Sequence, residues 1–117
     1  PSYISLETAL EKHGIIFQFS SVITCLAAYS RVLKIGDQRY EYHAMKEGAL
    51  LNALGIIKED YYTIASPERA VCDFIYLHGP SHFDNLHGIR PEFLREIAKI
   101  YGKKSVEKSI KQLIKTL

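Results

Sequence analysis

The chain has 117 residues, of which 47% are hydrophobic and 24% are charged, and its formal net charge is +2. These values are typical of one soluble globular domain that is large enough to bury a core. No apolar run approaches the roughly 20 residues that a membrane-spanning helix needs. Because there is no secretory signal, we expect a cytoplasmic protein. The two cysteines, Cys25 and Cys72, form no disulfide-rich pattern and predict buried thiols rather than a bridge.

The charge is unevenly distributed along the chain. Residues 1–89 carry 7 basic and 10 acidic side chains (net −3), whereas residues 90–117 carry 8 basic and 3 acidic side chains (net +5). Such an asymmetry indicates either a region that meets an anionic partner or a solvated lysine face on an amphipathic helix. The candidate nucleic-acid contacts are the basic residues of this region: Arg90, Arg95, Lys99, Lys103, Lys104, Lys108, Lys111 and Lys115.

The first part of the chain predicts a helix followed by strands. Ser5 is the expected N-cap of a helix from Leu6 to about His13, which Gly14 ends. The apolar segment from Ile15 to Phe19 is too short for its pattern to separate a strand from a packed loop. Strands are predicted at Val22 to Ala28, at Arg31 to Ile35 and at Arg39 to His43, the last two joined as a hairpin by a turn at residues 36–38.

The next stretch is less regular. Residues from Met45 to Leu54 favour a short helix, and Ile56-Ile57 is a strand fragment before a charged turn at residues 58–60. The segment from Tyr61 to Ile64 predicts a strand because its aromatic and β-branched side chains suit a pleated, half-buried surface.

A capped helix follows this strand, and its signals agree with one another. Ser66 is the N-cap, Pro67 takes the first helical position, and Glu68 places a negative charge at the positive end of the helix dipole. Arg69 and Asp73 are four residues apart and are expected to pair on the face opposite the apolar stripe. Gly79-Pro80 ends the helix. We interpret this segment as a structural motif, made by Ser66, Pro67, Glu68, Arg69 and Asp73.

The last third predicts a loop and two helices. Residues 81–88 have no clear period, and a helix from Arg90 to Tyr101, with Pro91 at its first position, ends at Gly102. Ser105 is the expected cap of a last helix with the apolar stripe Val106, Ile110, Leu113, Ile114 and Leu117. The predicted fold class is α+β: a small antiparallel or mixed sheet packed by the central capped helix, with two C-terminal helices.

No catalytic constellation is visible in the sequence. Gly79-Pro80 prevents His78 and His82 from ligating a metal from one regular helix, and the set of His82, Asp84 and His87 matches no metal-site signature. The chain also lacks a nucleophile elbow and a glycine-rich phosphate loop. We expect a non-enzyme without metal or cofactor. A small enzyme of unknown class stays open, with a site formed by folding from Tyr42, His43 and Asp73.

Two segments resemble a known family. The segment Tyr3 to Ile15, YISLETALEKHGI, looks like the opening Tyr-Ile-Ser-x-Glu-Ser-Ala-Leu-x-x-His-Gly of the C-terminal domain of AbiE-type antitoxins. The segment ASPERAVCDFIYL, which ends at Leu77, resembles the second signature of that domain. Ile23-Thr24 and Arg39 to His43 stand where the family has a strand pair. These antitoxins belong to bacterial type IV toxin–antitoxin systems, which act in abortive phage infection.

The resemblance implies a function. It implies that residues 1–117 are a single non-catalytic antitoxin domain, which works with a DNA-binding module in transcriptional autoregulation. We expect the family's N-terminal winged helix-turn-helix to be absent from this chain, because only two residues precede Tyr3. The resemblance also implies opposition to a nucleotidyltransferase-like toxin without a required stable complex. The alternative is a stand-alone dimerisation or protein-interaction module of a regulator, in which the last helix docks its apolar stripe on a second copy.

Overall fold

A computed structural model describes residues 1–117, and a six-stranded sheet forms its centre. The strands are β1 (Ser2–Ile4), β2 (Ile23–Ala27), β3 (Arg31–Ile35), β4 (Gln38–Ala44), β5 (Ile56–Lys58) and β6 (Thr63–Ala65). Their order across the sheet is β3-β4-β2-β1-β6-β5. Three neighbouring pairs are antiparallel, whereas β2–β4 and β1–β6 are parallel, so the sheet is mixed.

Five helices accompany the sheet. They are α1 (Leu6–Lys12), α2 (Glu47–Leu50), α3 (Pro67–His78), α4 (Pro91–Ala98) and α5 (Lys104–Ile114), and a 3₁₀ turn at Lys99–Tyr101 follows α4. None of these helices is long and apolar enough to cross a membrane.

A single hydrophobic core of 23 buried residues joins the sheet to the helices. Leu6 and Leu10 enter it from α1, Val71 from α3, and Leu94 and Ile97 from α4, and none of the five is solvent-exposed. Full burial of each such side chain contributes about 1.5–3 kcal/mol. The predicted α+β class, with a sheet, a central capped helix and C-terminal helices, is therefore confirmed.

The central helix forms as its local signals predict. Ser66 Oγ accepts a hydrogen bond from the backbone N–H of Arg69 at 3.1 Å, and Pro67 is the first residue of α3. The helix ends at His78, and Gly79 follows with a φ of 79°, a left-handed value that glycine adopts without strain. The predicted hairpin of β3 and β4 is also present, with Leu33 opposite Tyr40.

Several local predictions were wrong. The strand β1 was not predicted at all, and β6 begins at Thr63, so that Tyr61, 97% exposed, lies outside it. The last helix begins at Lys104 rather than after Ser105, and no side chain caps it.

Two ambiguous segments resolve simply. The segment from Ile15 to Phe19 is a loop, and the predicted helix within Met45 to Leu54 shrinks to the four residues of α2.

Cys25 and Cys72 are buried free thiols, as predicted, and burial raises the pKa of Cys25 to about 11.

The junction between β1 and α1 is strained. Leu6 has a φ of 60°, a left-handed value that is unfavourable for a residue with a Cβ atom. Ser5 occupies the N-cap position of α1, but its hydroxyl accepts no capping hydrogen bond and donates to Asp73. The predicted N-cap position is therefore confirmed, whereas the side-chain hydrogen bond of a cap is absent. This turn places Leu6 in the core and directs Ser5 into the buried network described below.

Candidate nucleic-acid interface

Four lysines of α5 and its C-terminal cap form one exposed row. Lys104, Lys108, Lys111 and Lys115 follow the spacing i, i+4, i+7 and i+11, which brings them to one side of an α-helix. At a rise of 1.5 Å per residue, the row is about 16 Å long. We call these four residues the lysine stripe. No acidic residue lies within it, since Glu107 falls on its flank.

The apolar side of α5 explains why the lysine stripe faces solvent. Val106 and Ile110 are 2% and 1% exposed and belong to the core. At 100° per residue, the lysine stripe lies on the side of the helix opposite these two residues. In the alternative interpretation, the apolar stripe of α5 docks on a second copy, but Val106 and Ile110 of that stripe already pack within the chain.

The start of α5 is anchored by an aromatic stack. The rings of Tyr76 and Tyr101 stack with their centres 5.2 Å apart, and the ammonium of Lys103 lies 5.4 Å from the centre of the Tyr76 ring. Gly102 has a φ of 59° and permits the sharp turn between the 3₁₀ turn and α5. Lys103 therefore lies against α3 rather than in the lysine stripe.

Two basic residues, one in α4 and one in the 3₁₀ turn after it, extend the positive surface. A groove of about 230 Å³ between α4 and α5 is lined by Arg95 and Lys99 on one side and by Glu107 and Lys111 on the other. Glu92 forms an exposed ion pair with Arg95, and this reduces the net charge at that position. Of the predicted nucleic-acid contacts, the four residues of the lysine stripe therefore lie together, and Lys99 lies beside them.

Arg90 has a different environment. Its side chain is 67% exposed, and its Nε lies 3.3 Å from Oε2 of Glu68, which is only 2% exposed. The backbone N–H of Arg90 donates to the same oxygen at 3.0 Å. Burial opposes ionisation of Glu68, but these hydrogen bonds outweigh it, so the pKa of Glu68 is below its usual value. Arg90 thus links the loop that precedes α4 to Glu68 of α3.

A buried polar network holds α3 against β1. Asp73, fully buried, accepts hydrogen bonds from the hydroxyls of Tyr3 at 2.9 Å, of Ser5 at 2.7 Å and of Tyr101 at 2.5 Å. Tyr3 and Ser5 share Oδ2, whereas Oδ1 accepts from Tyr101 and also from Arg69 Nε at 3.3 Å. The predicted pair of Arg69 and Asp73 exists, but its predicted position on a separate polar face was wrong, because both side chains are 0% exposed.

The remaining donors of Arg69 are also satisfied. Its two terminal nitrogens donate to Tyr3 Oη and to three backbone carbonyls, those of Ala49, Asn52 and Leu54, at 2.7–3.0 Å. No buried side-chain polar atom lacks a hydrogen-bond partner. Burial raises the pKa of Asp73, and Arg69 and the hydroxyls oppose that rise. The network thus ties β1, α2, α3 and the 3₁₀ turn together.

Sequence reasoning missed Tyr3, Ser5 and Tyr101 as members of this network. Their only signal was position: Tyr3 and Ser5 lie in the first family-like motif, and Asp73 lies in the second. The two motifs meet in space at hydrogen-bonding distance, although they are 70 residues apart in the chain. A residue pair of this kind becomes visible only when the fold is known.

The structure does not assemble the alternative enzymatic site. Tyr42 and His43 are adjacent on β4, so their side chains point to opposite faces of the sheet. Asp73 makes its hydrogen bonds with the buried network, which includes neither of them. His82 Nε2 lies 3.8 Å from Asp84 on an exposed loop, and no group of three side chains is arranged to hold a metal ion.

The comparisons with known proteins add no relative. No protein-family model matches this chain, and neither a curated protein nor a solved structure matches it.

Proposed function

We propose that this chain is a non-catalytic regulatory domain of an AbiE-type, type IV toxin–antitoxin system and that its C-terminal helices contact nucleic acid. The lysine stripe is the observation that carries the nucleic-acid part of the proposal. The antitoxin part rests on the two family-like motifs. Their meeting at Asp73 supports it, because it gives both motifs a shared structural purpose.

The proposed contact is electrostatic. Four exposed ammonium groups along about 16 Å match the repeated negative charges of a nucleic-acid backbone. Such contacts position a protein on nucleic acid but carry no sequence information. The domain would therefore strengthen a separate DNA-binding module in autoregulation, or hold the nucleic acid that a nucleotidyltransferase-like toxin modifies. Neither role requires a stable complex with the toxin.

The test is the salt dependence of binding. Fluorescence anisotropy with a labelled duplex DNA and a labelled structured RNA measures affinity at several salt concentrations. If all four lysines contact phosphates, the logarithm of the affinity for DNA falls against the logarithm of salt with a slope of about −3.6. The variant Lys104→Glu/Lys108→Glu should bind much more weakly and show a shallower slope.

A matched variant controls for total charge. Lys34→Glu/Lys58→Glu changes the net charge equally, but these two lysines lie on edge strands of the sheet and outside α5. We expect this variant to keep most of the affinity. Equal losses in the two double variants, or no binding at low salt, would refute the lysine stripe as an interface. Growth rescue on co-expression with a neighbouring nucleotidyltransferase gene tests the antitoxin part separately.

A further inference from the structure

The sheet has a second candidate surface, on the side away from α1 and α3. Tyr3 and Leu26 are paired and point to the buried side, where Tyr3 meets α3. Because side chains alternate along a strand, their neighbours point to the other face. The strand register joins these residues into one surface: Ile4 with Cys25, Cys25 with Tyr42, Ile23 with Tyr40, Tyr40 with Leu33, and Tyr42 with Arg31.

Two adjoining hollows cross this surface. One, of about 370 Å³, is lined by Tyr29, Arg31 and Tyr42, and Tyr29 is 80% exposed. The other, of about 270 Å³, is lined by Tyr40, Tyr42 and Tyr62. The hollows share Ser2 and Tyr42, so they form one continuous path. We call it the tyrosine groove, defined by Tyr29, Tyr40, Tyr42 and Tyr62.

The charge along the tyrosine groove favours an anionic ligand. The guanidinium of Arg31 lies 5.2 Å from the centre of the Tyr42 ring. Lys12 lines neither hollow; it belongs to α1, and its ammonium lies 5.0 Å from the centre of the Tyr62 ring. The charge of Glu59 acts on Lys12 and partly offsets it. The strand register places no acidic residue on this face of β1 to β4.

We propose that the tyrosine groove binds single-stranded nucleic acid by stacking bases on its tyrosine rings. Tyr40 and Tyr42 stand two residues apart on β4, about 7 Å from each other, so successive rings line one face of the strand. Open sheets with aromatic residues on their exposed face are a recurrent platform for unstacked bases. A duplex hides the faces of its bases, so it cannot stack on these rings.

This proposal goes beyond the proposed function and uses a different surface. The lysine stripe lies on α5, which packs against α3 and α4, whereas the tyrosine groove lies on the sheet face opposite α3. The two surfaces also recognise different parts of a nucleic acid, namely phosphates and bases. Variants of one surface therefore leave the other intact.

The choice of occupant rests on the composition of the tyrosine groove. A second copy docked face to face would bury the guanidinium of Arg31 and several tyrosine hydroxyls, each of which then needs a partner. A single strand leaves these groups at the water-exposed edge and supplies a phosphate for Arg31. Single-stranded nucleic acid is therefore the ligand that matches both the rings and the charge.

The experiment compares labelled oligothymidylate, oligouridylate and a duplex of the same length by fluorescence anisotropy. We expect the wild-type chain to prefer the single strands. Tyr40→Leu and Tyr42→Leu keep an apolar side chain on the sheet and should each weaken single-strand binding by about fivefold or more. The control Tyr61→Leu removes a tyrosine that is 97% exposed but lies outside the tyrosine groove, and its affinity should stay unchanged.

The outcomes separate this inference from the proposed function. Retained single-strand affinity in folded Tyr40→Leu and Tyr42→Leu variants overturns the inference. The inference is also overturned if Lys104→Glu/Lys108→Glu abolishes single-strand binding and the tyrosine substitutions do not. The proposed function then stands without the tyrosine groove. Light scattering completes the test by measuring the oligomeric state. If the wild-type chain is a dimer, and the tyrosine substitutions dissociate it without changing the affinity for oligonucleotides, the groove binds a second copy and the inference is overturned.

Discussion

Replacement of Asp73 by alanine tests the buried network most directly. The substitution removes the only carboxylate that pairs with Arg69 and the shared acceptor of the Tyr3, Ser5 and Tyr101 hydroxyls. Leaving one partner of a buried ion pair unpaired costs about 3–5 kcal/mol. Each hydroxyl that loses its acceptor adds about 1 kcal/mol. We therefore expect a loss of about 5 kcal/mol or more, which is comparable with the entire stability of many domains.

A double variant separates charge from hydrogen bonding. Arg69→Met/Asp73→Leu removes both charges, a change that is often neutral or stabilising for a simple buried pair. Here the guanidinium also binds the carbonyls of Ala49, Asn52 and Leu54, and these lose their donors in the double variant. We expect it to be more stable than Asp73→Ala but still less stable than the wild type by about 2 kcal/mol or more.

The assay is urea unfolding followed by far-ultraviolet circular dichroism. The free energy of unfolding in water is compared among the wild type, the two variants and Asp37→Ala, which changes an exposed carboxylate in the turn between β3 and β4. The control should lose no more than about 0.5 kcal/mol. A loss below about 1 kcal/mol for Asp73→Ala would refute the reasoning, because the network would then contribute little to stability.

Three further predictions follow from the packing and the ionisation of the chain. In Gly55→Ala, the new Cβ would lie 2.8 Å from a core methyl group, and the residue would have to keep a φ of 76°. We therefore expect the free energy of unfolding, measured in urea, to fall by about 2–4 kcal/mol. The control Gly48→Ala in α2 should be neutral or stabilising. The pKa of Glu68 is lower in the folded state than in the unfolded chain, so the ionised carboxylate and its bond to Arg90 stabilise the protein above pH 4.5. This stabilisation is lost as the pH falls through the folded-state pKa of Glu68. Arg90→Ala should therefore lose about 1 kcal/mol at neutral pH, a value reduced by the exposure of the guanidinium, and the difference from wild type should disappear in acid. Cys72 is 0% exposed and belongs to the core, so Ellman's reagent should react with it only after unfolding, and rapid reaction of two thiols in the native state would contradict the described core.

Local signals were sufficient for the elements whose residues act on close neighbours. Ser66, Pro67 and Gly79 define α3 through their own backbone and side-chain chemistry, so its bounds were predictable. The hairpin of β3 and β4 likewise depends on a short turn and on alternation within one segment. The lysine stripe was visible for the same reason, because helical spacing alone determines which side chains share a side of α5.

Long-range contacts account for what could not be predicted. Strand β1 has three residues, and it is a strand because β2 and β6 pair with it from both sides. Ser5 takes the N-cap position that its sequence signal predicts, but its hydroxyl donates to Asp73, 68 residues away in the chain, and accepts no hydrogen bond from the first turn of α1. Arg69 and Asp73 have the spacing of an ordinary surface pair, and only the arrangement of α2 and β1 around them encloses both charges.

The central position of β1 determines how the polypeptide can fold during translation. Strand β1 leaves the ribosome before its parallel partner β6, which is made some sixty residues later, and the acceptor of the Tyr3 hydroxyl, Asp73, follows 70 positions downstream. The chain loses conformational entropy when it closes so large a loop, and this loss comes before the contacts between the ends of the loop can stabilise the fold. A ribosome stalled before α3 emerges would therefore carry a chain in which the Tyr3 hydroxyl still lacks its acceptor, Asp73.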